Sequence, residues 1–452
     1  MAQALNIWMN GELVAVWSSS RGGTPTLRYE PSWLRSPSCR ALSLSLPLTT
    51  TQDIRGDVVE HYFDNLLPDS ASIRRRLGRR FKAMSTSSFD LLSAIGRDCV
   101  GAIALLPPNE QPTGWNHVAA DAMSDADVAQ HLRATTSSDS FKTGDASADF
   151  RISIAGAQEK TALLRMAGKW WRPLGSTPTT HIVKLPLGLV GNMQADMSQS
   201  VQNEWLCAQI LQAMGIPTAH TEMARFEQQL VLVVQRFDRQ WINAGKVEPQ
   251  SANFSPSYGT WIARLPQEDF CQAFGMPSTA KYESDGGPGA KSCLRLLSAS
   301  DNAQNDQSNF IKAQFIFWLL AATDGHSKNF SVHHRRGGTF RMTPLYDVLS
   351  AWPIIGKSAK QLPYQKAKMA MAAHGKNTHY HLAQIKARHW HRLAHSGGTA
   401  AQWEQLIAVA SSTQAVLSEV QAHLPADFPQ QVWGAVSQGV QTHANQFLNE
   451  LT

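Results

Sequence analysis

Asp324 and Asn329 enclose four residues in the stretch AATDGHSKNFSVHHRRGGTFRMTPLYDVLS, residues 321–350, and a further acid, Asp347, stands near its end. Acid, amide and acid at these spacings suit phosphoryl transfer. Catalytic loops of the form D-x-x-x-x-N use the Asp to accept a substrate hydroxyl proton and the Asn to hold a metal ion. Asp347 must then return to the side of Asn329. Phe330 to His334 and Thr339 to Met342 read as two short strands around Gly337 and Gly338, and such a hairpin folds Asp347 back. A carboxylate and an amide oxygen are hard ligands suited to Mg2+ shared with phosphates. The letters Asp, Gly, Ser and Asn are also ordinary turn formers, so this spacing alone is a weak signal. The apolar run 315–322 before it reads as a buried helix that delivers the polar cluster to a fixed place.

Groups for the nucleotide have to lie upstream. Residues 150–154 and 161–165 read as strands around the small-residue loop Ala155, Gly156, Ala157, Gln158, Glu159 and Lys160, whose backbone N–H groups can approach phosphates. No Walker sequence occurs, and one glycine is little to go on. Lys184 lies in an apolar strand, 180–186, where a buried ammonium wants an anion, and Glu204 on a helix over 198–214 is its candidate partner. Each taken singly is better read as a snorkelling lysine and a surface acid. The apolar strand from Leu230 runs into Gln235, Phe237 and Asp238, where a backbone edge could meet an adenine and Asp238 a ribose. The order of these pieces along the chain is that of a two-lobed kinase.

The rest of the chain supplies the elements that position them. With 452 residues, 43% hydrophobic and 17% charged, it has the composition of a globular protein of two or three domains. Residues 5–17 alternate around Asn10 and Gly11 as a β-hairpin, and Val58 to Leu67 read as an amphipathic helix ended by Pro68. Ser70 caps a helix over 72–82 carrying Arg74, Arg75, Arg76, Arg79, Arg80 and Lys82, read as a solvated face. Residues 109–149 read as a linker with one helix capped by Ser124 and Asp127. Five scattered cysteines without a C-x-x-C pair point to neither a disulfide frame nor a thiolate zinc site, and fit a reducing cytoplasm. No leader and no run of about 20 apolar residues is evident, so no membrane role is expected. The net charge of +6 mildly favours anionic partners.

Longer motifs carry a family resemblance: LSLSLPL (42–48), YFDNLLPDS (62–70), FDLLSAIGRDCVGA (89–102), DFRISIAGAQEKTALLR (149–165), TPTTHIVKLPLG (177–188), RLPQEDFCQAFG (264–275), KYESDGGPG (281–289) and ATDGHSKNFSV (322–332). With these, nearly the whole chain resembles the HipA serine/threonine kinase toxins of the HipA–HipB toxin–antitoxin systems. The resemblance implies an α+β fold of two lobes like protein and phosphatidylinositol kinases, with a β-rich N-terminal lobe and a mostly helical C-terminal lobe. ATP and Mg2+ are the implied cofactors. The implied partners are a dimeric HipB-type antitoxin, operator DNA through the antitoxin complex, and a protein substrate, glutamate–tRNA ligase in the best-known members.

Residue by residue, the resemblance makes Ser153 the autophosphorylation site, Ala155 to Lys160 the phosphate loop, Lys184 the ATP-binding lysine and Asp324 the catalytic Asp. Asn329 and Asp347 match the Mg2+ ligands, and Gln235, Phe237, Asp238 and His326 fall at hinge and ribose positions. Gln235 departs from the family, where a member has Glu, although a contact made by backbone tolerates the change. The chain then divides into an N-terminal module (1–108), the linker (109–149), the nucleotide-binding part of the kinase core (150–240) and a helical C-terminal lobe (241–452) with its catalytic loop at 322–350. After Met371 the match thins. There Lys386 and Arg388, near Tyr380 and Trp390, are candidates for DNA phosphate contacts, against the alternative of a solvated helix face. His374, His379, His381, His389 and His391 invite a zinc reading that lacks a nearby Cys or acidic ligand. Two rival functions stand beside the kinase toxin: a small-molecule kinase, and a DNA-bound co-repressor whose kinase is incidental.

Overall fold

Asn10 and Gly11, with φ of 45° and 86°, turn the chain between strands Gln3–Met9 and Glu12–Ser19. These are the left-handed conformations that a two-residue hairpin turn requires. The computed structural model describes residues 3–19, 23–136, 153–156, 158–397 and 400–451. They form two compact units between which the chain passes repeatedly. Unit 1 comprises Met1–Leu185, Ala224–Thr279 and His333–Thr339; unit 2 comprises Pro186–Met223, Ala280–Val332 and Phe340–Thr452.

The first part of unit 1 is a five-stranded sheet in the order Ile54–Arg55, Thr26–Tyr29, Glu12–Ser19, Gln3–Met9, Ile103–Leu106. Leu5, Ile7 and Met9 are buried while their neighbours are not, the alternation of a sheet covered on one face. The cover is helices Asp57–Asp64 and Ser88–Ile95: Trp17 stacks on Phe63 at 3.9 Å and meets Phe89 edge-on at 4.8 Å. Truncating Trp17 to Ala would cost about 3–5 kcal/mol.

The second part is a six-stranded sheet in the order Thr221–Phe226, Gln229–Gln235, His181–Lys184, Lys160–Met166, Lys169–Pro173, Ala120–Met123. Its outer strand corrects the linker expectation, because Ala120–Met123 pairs with Lys169–Pro173 and leads straight into helix Asp125–Thr136. Ser124 and Asp127 form the expected cap, with Ser124 N–H donating to Asp127 Oδ2 at 2.9 Å and Asp127 N–H to Ser124 Oγ at 3.2 Å. Met123, Val128, Ala129 and Leu132 are buried with Leu163, Val183 and Val233 in one core, which is why this polar-looking stretch is held. The strand expected at 150–154 is a second difference. Residues 150–152 lie outside the described residues, and Ser153 to Ala155 pair with no strand; Gly156 bridges instead to Pro68.

Unit 2 is mostly helical, built round helix Ala303–Leu319. Phe310, Ile311, Phe315, Ile316, Phe317 and Trp318 are all buried, so this helix is apolar nearly all round and occupies a centre rather than a face. Helices Ala387–Gly397 and Gln430–Asn449 cover it: Phe315 meets Trp390 at 5.3 Å and Phe447 at 4.8 Å, and Trp318 stacks on His443 at 4.2 Å. Among the described residues no helix is long and apolar enough to cross a membrane. Cys99, Cys207, Cys271 and Cys293 are buried and form no disulfide.

Candidate active site

The central helix of unit 2 ends at Leu319, Ala321 takes φ of 48°, and the polar loop begins. Gly325 is required there because a Cβ would stand 2.4 Å from the Phe317 ring. Asn329 is buried and fixed from two sides: its Oδ1 accepts from the His326 N–H at 3.2 Å, and its Nδ2 donates to the Asp347 carbonyl at 3.3 Å. The hairpin therefore returns Asp347 to Asn329. Strands Ser331–His334 and Phe340–Met342 flank Gly337 and Gly338, with φ of 79° and 78°. Within unit 2, Thr343 N–H donates to the Ser331 carbonyl at 2.9 Å, and Tyr346 hydroxyl to the Lys328 carbonyl at 2.9 Å. Asp347 itself sits at φ of 61°, a left-handed conformation unfavourable for a side chain that persists where the surroundings over-determine it.

Asp324 differs from this buried frame, since its side chain is 62% exposed. A carboxylate open to solvent beside fixed polar groups can receive a proton from an arriving hydroxyl. His326 Nε2 lies 3.7 Å from Asp324 Oδ1. Burial lowers the His326 imidazole to about 4, with Asp324 opposing the shift, so the ring is neutral at pH 7. For a hard divalent cation the fit rests on Asn329 and Asp347, joined by their hydrogen bond. Two protein oxygens suffice for an ion that keeps several waters and shares phosphate oxygens. Among the described residues, no group of three or more His, Cys, Asp or Glu is placed to hold a metal. Of the C-terminal histidines, His379 is stacked on His389 at 4.4 Å and His374 is bonded to Glu283 at 3.1 Å. Glu204 is buried on helix Ser200–Ala213 in the same unit.

The expected nucleotide groups lie in unit 1. Ser153 is fully buried; its Oγ donates to the Leu66 carbonyl at 2.7 Å and its N–H to the Asp98 carbonyl at 3.1 Å. Gly156 takes φ of 110° and accepts from Asp69 N–H at 3.1 Å, while Lys160 Nζ donates to the Ala155 carbonyl at 2.9 Å. A Cβ at Gly156 would stand 2.6 Å from that Nζ. Gln158 Nε2 donates to the Leu185 carbonyl at 2.6 Å, and Glu159 is paired with Arg76. Ala157 lies outside the described residues. Lys184 is buried directly opposite Lys160 on the neighbouring strand. Part of the arginine helix is thus tied down, Arg74 to Asp64 and Arg76 to Glu159, rather than wholly a solvated face.

Gln235 is exposed at the end of its strand, and Phe237 meets His333 edge-on at 5.5 Å. Asp238 differs from the ribose expectation. It is buried, bonded to Arg236 Nε at 2.9 Å and Nη2 at 2.8 Å, and accepts from Gly101 N–H at 2.8 Å. Asp98 joins the same cluster through Arg239 at 2.9 Å and Arg236 and Arg264 at 3.3 Å. Burial alone would raise the Asp238 carboxyl, but Arg236 and Arg239 outweigh it and hold it at about 2. Three guanidiniums share two carboxylates, so burial and repulsion from Arg236 lower Arg239 to about 10. A carboxylate committed in this way is a structural anion. The sequence reading missed this cluster, although Arg236, Asp238 and Arg239 alternate in sign right after an apolar strand.

Lys386 is bonded to Glu450 at 3.1 Å, and Arg388 is exposed. Trp390, expected beside them, is instead 2% exposed and packed on Phe315, because the helix needs an apolar side toward the unit's centre.

Comparison with known proteins places this geometry. The HipA N-terminal domain family matches residues 5–106 and the HipA-like C-terminal domain family residues 152–426. The chain belongs to the HipA family. Y4mE of Sinorhizobium fredii, named as a candidate kinase, is 29% identical over 88% of this chain and 86% of its own. The serine/threonine-protein kinase toxin HipA of Shewanella oneidensis is 25% identical over 72% of this chain and 70% of its own. The solved complex of Shewanella oneidensis MR-1 HipA with HipB and operator DNA superposes with a TM-score of 0.77 at 20% identity, covering 98% of this chain and 97% of that one. The fold is therefore that of HipA.

Proposed function

We propose that this chain is an ATP-dependent serine/threonine protein kinase acting in the cytoplasm as the toxin of a type II toxin–antitoxin system. The observation that carries the reading is the exposed Asp324 carboxylate ahead of a buried Asn329 bonded to Asp347. Asp324 accepts the proton of the substrate hydroxyl as that oxygen attacks. Lys184 and the loop from Ala155 to Lys160 serve the phosphates, the exposed Gln235 and Phe237 edge serves the base, and Asn329 and Asp347 would hold Mg2+. Mg·ATP, when bound, supplies the transferable phosphoryl group and charge neutralisation. His326 is neutral and buried, so it acts as a polar wall and not as an acid.

Family membership favours a dimeric HipB-type antitoxin as the neutralising partner, with which the chain co-represses its operon at operator DNA. It also favours glutamate–tRNA ligase as target, with arrest of translation and growth as the outcome and autophosphorylation at Ser153 as the off-switch. The intact set of Lys184, Asp324, Asn329 and Asp347 speaks against an incidental kinase. The test is the purified chain and its Asp324→Gln variant with γ-labelled ATP: the variant should bind ATP and transfer nothing. Transfer near the wild-type rate would refute the assignment.

A further inference from the structure

Tyr282 stands in the KYESDGGPG motif, to which no role has so far been given. Its hydroxyl donates to Asp324 Oδ1, and its ring meets the His326 ring edge-on at 5.1 Å and 86°. Both chain neighbours of Tyr282 are anchored within unit 2. The Lys281 carbonyl accepts from Ser327 N–H at 3.3 Å and Ser327 Oγ at 2.8 Å, on the same loop as Asp324. The Glu283 carboxylate takes the Ala372 N–H at 2.6 Å on one oxygen and His374 Nε2 at 3.1 Å on the other. The Tyr282 carbonyl accepts from Gly287 N–H at 2.9 Å. A phenol held this firmly on a carboxylate that is otherwise open to solvent is not a chance surface contact.

We propose that Tyr282 is a positioning residue for the proton acceptor, a reading that rests on the role assigned above to Asp324. Both neighbouring groups address the same oxygen: the Tyr282 hydroxyl bonds Oδ1, and His326 Nε2 lies 3.7 Å from it. Oδ1 is thereby the held atom, and Oδ2 is the one turned over to the substrate hydroxyl. An exposed aspartate free to rotate about its last torsion would present either oxygen at many angles, and misplacement of a reacting group by about 1 Å can cost on the order of 100-fold in rate. Motif KYESDGGPG therefore belongs to the transfer machinery as a brace for the loop.

The test uses the purified full chain, Tyr282→Phe and Asp324→Asn, with transfer of γ-phosphate from ATP to protein as readout. Tyr282→Phe should lower the rate at saturating Mg·ATP about tenfold or more, while the Mg·ATP concentration giving half-maximal rate and the Tm stay at wild-type values. A wild-type rate for Tyr282→Phe beside a dead Asp324→Asn overturns the positioning role alone. A loss of rate that comes with weaker Mg·ATP binding or a lowered Tm overturns it too, since Tyr282 would then be structural. An active Asp324→Asn overturns the underlying reading instead.

Discussion

The Ser153 hydroxyl donates to the carbonyl of Leu66 at 2.7 Å, so the residue expected to receive phosphate is bonded into the N-terminal part of unit 1. The neighbouring bond from Asp69 N–H to the Gly156 carbonyl extends the same grip over the start of the loop proposed for the phosphates. A phosphoryl group of about −2 charge has no room at a fully buried serine. Phosphorylation should release residues 153–160 from residues 66–69. Hydrogen exchange should rise in both segments, and ATP affinity should fall at least tenfold. A phosphorylated chain with unchanged exchange at 66–69 would refute the coupling. Ser153→Ala removes one buried bond and should cost only about 1–2 kcal/mol.

Asp347→Ala should weaken Mg·ATP binding as well as transfer, in contrast to substitutions at Asp324. Asn329 and Asp347 are the two side chains proposed for the ion, and losing one of them would leave it to one amide oxygen, phosphate and solvent. Titration of the Mg2+ dependence of ATP binding reads this directly, with a rise in the half-saturating Mg2+ concentration of about tenfold or more. An equal Mg2+ requirement in wild type and variant would remove Asp347 from the metal site.

The arginine cluster predicts acid sensitivity. The Asp238 carboxyl sits at about 2 in the folded chain against roughly 3.9 when unfolded, so the unfolded chain binds the extra proton between these values. The stabilisation is fully present above about pH 4 and is lost as the pH falls toward 2. Asp238→Asn should cost about 3–5 kcal/mol by leaving Arg236, Arg239 and Arg264 to share the single carboxylate of Asp98 in the interior. Denaturant titrations at pH 7 and pH 3 test both points, and a variant as stable as wild type at pH 7 would contradict the buried ion pair.

The His326 ring adds a second acid limb with its own window. Burial places it at about 4 folded against roughly 6.5 unfolded, so folding is favoured above the unfolded value and loses that share between about pH 6.5 and 4. An NMR titration of the ring should show no protonation at pH 6. A midpoint near 6.5 would mean the imidazole is wetter than its 5% exposure indicates.

For operator DNA, Lys386 and Arg388 should behave differently. Lys386 is already matched by Glu450, whereas Arg388 is exposed. In the antitoxin complex, Arg388→Ala should reduce the magnitude of the salt slope by about 0.9, and Lys386→Ala should leave it unchanged. Binding isotherms at several salt concentrations decide this, and two unchanged slopes would leave the helix face as solvated surface.

Local signals read well where they act locally. Gly337 and Gly338 gave the hairpin that brings Asp347 to Asn329, the apolar run gave the central helix, and Ser124 with Asp127 gave a cap. What escaped depends on partners far along the chain. Asp98 and Asp238 are separated by 140 positions and meet only through arginines, so nothing near either residue announces that its charge is already neutralised. Ala120–Met123 looks like linker because its pairing partner is a strand about 50 residues on. Tyr282 stands in the motif KYESDGGPG, but the bond of its hydroxyl to Asp324 joins residues 42 positions apart.

The chain passes between its two units after residues 185, 223, 279, 332 and 339, and this arrangement sets a clock on its synthesis. Unit 1 includes the segment His333–Thr339 and so is not complete while the ribosome is still upstream of it. At about 5–20 residues per second, the final piece of unit 1 emerges roughly 20–70 s after initiation. Until then Lys184 is without one segment of its unit, and Asp347 has not yet been made. A chain that stops before residue 347 therefore lacks the carbonyl to which the Asn329 amide is bonded.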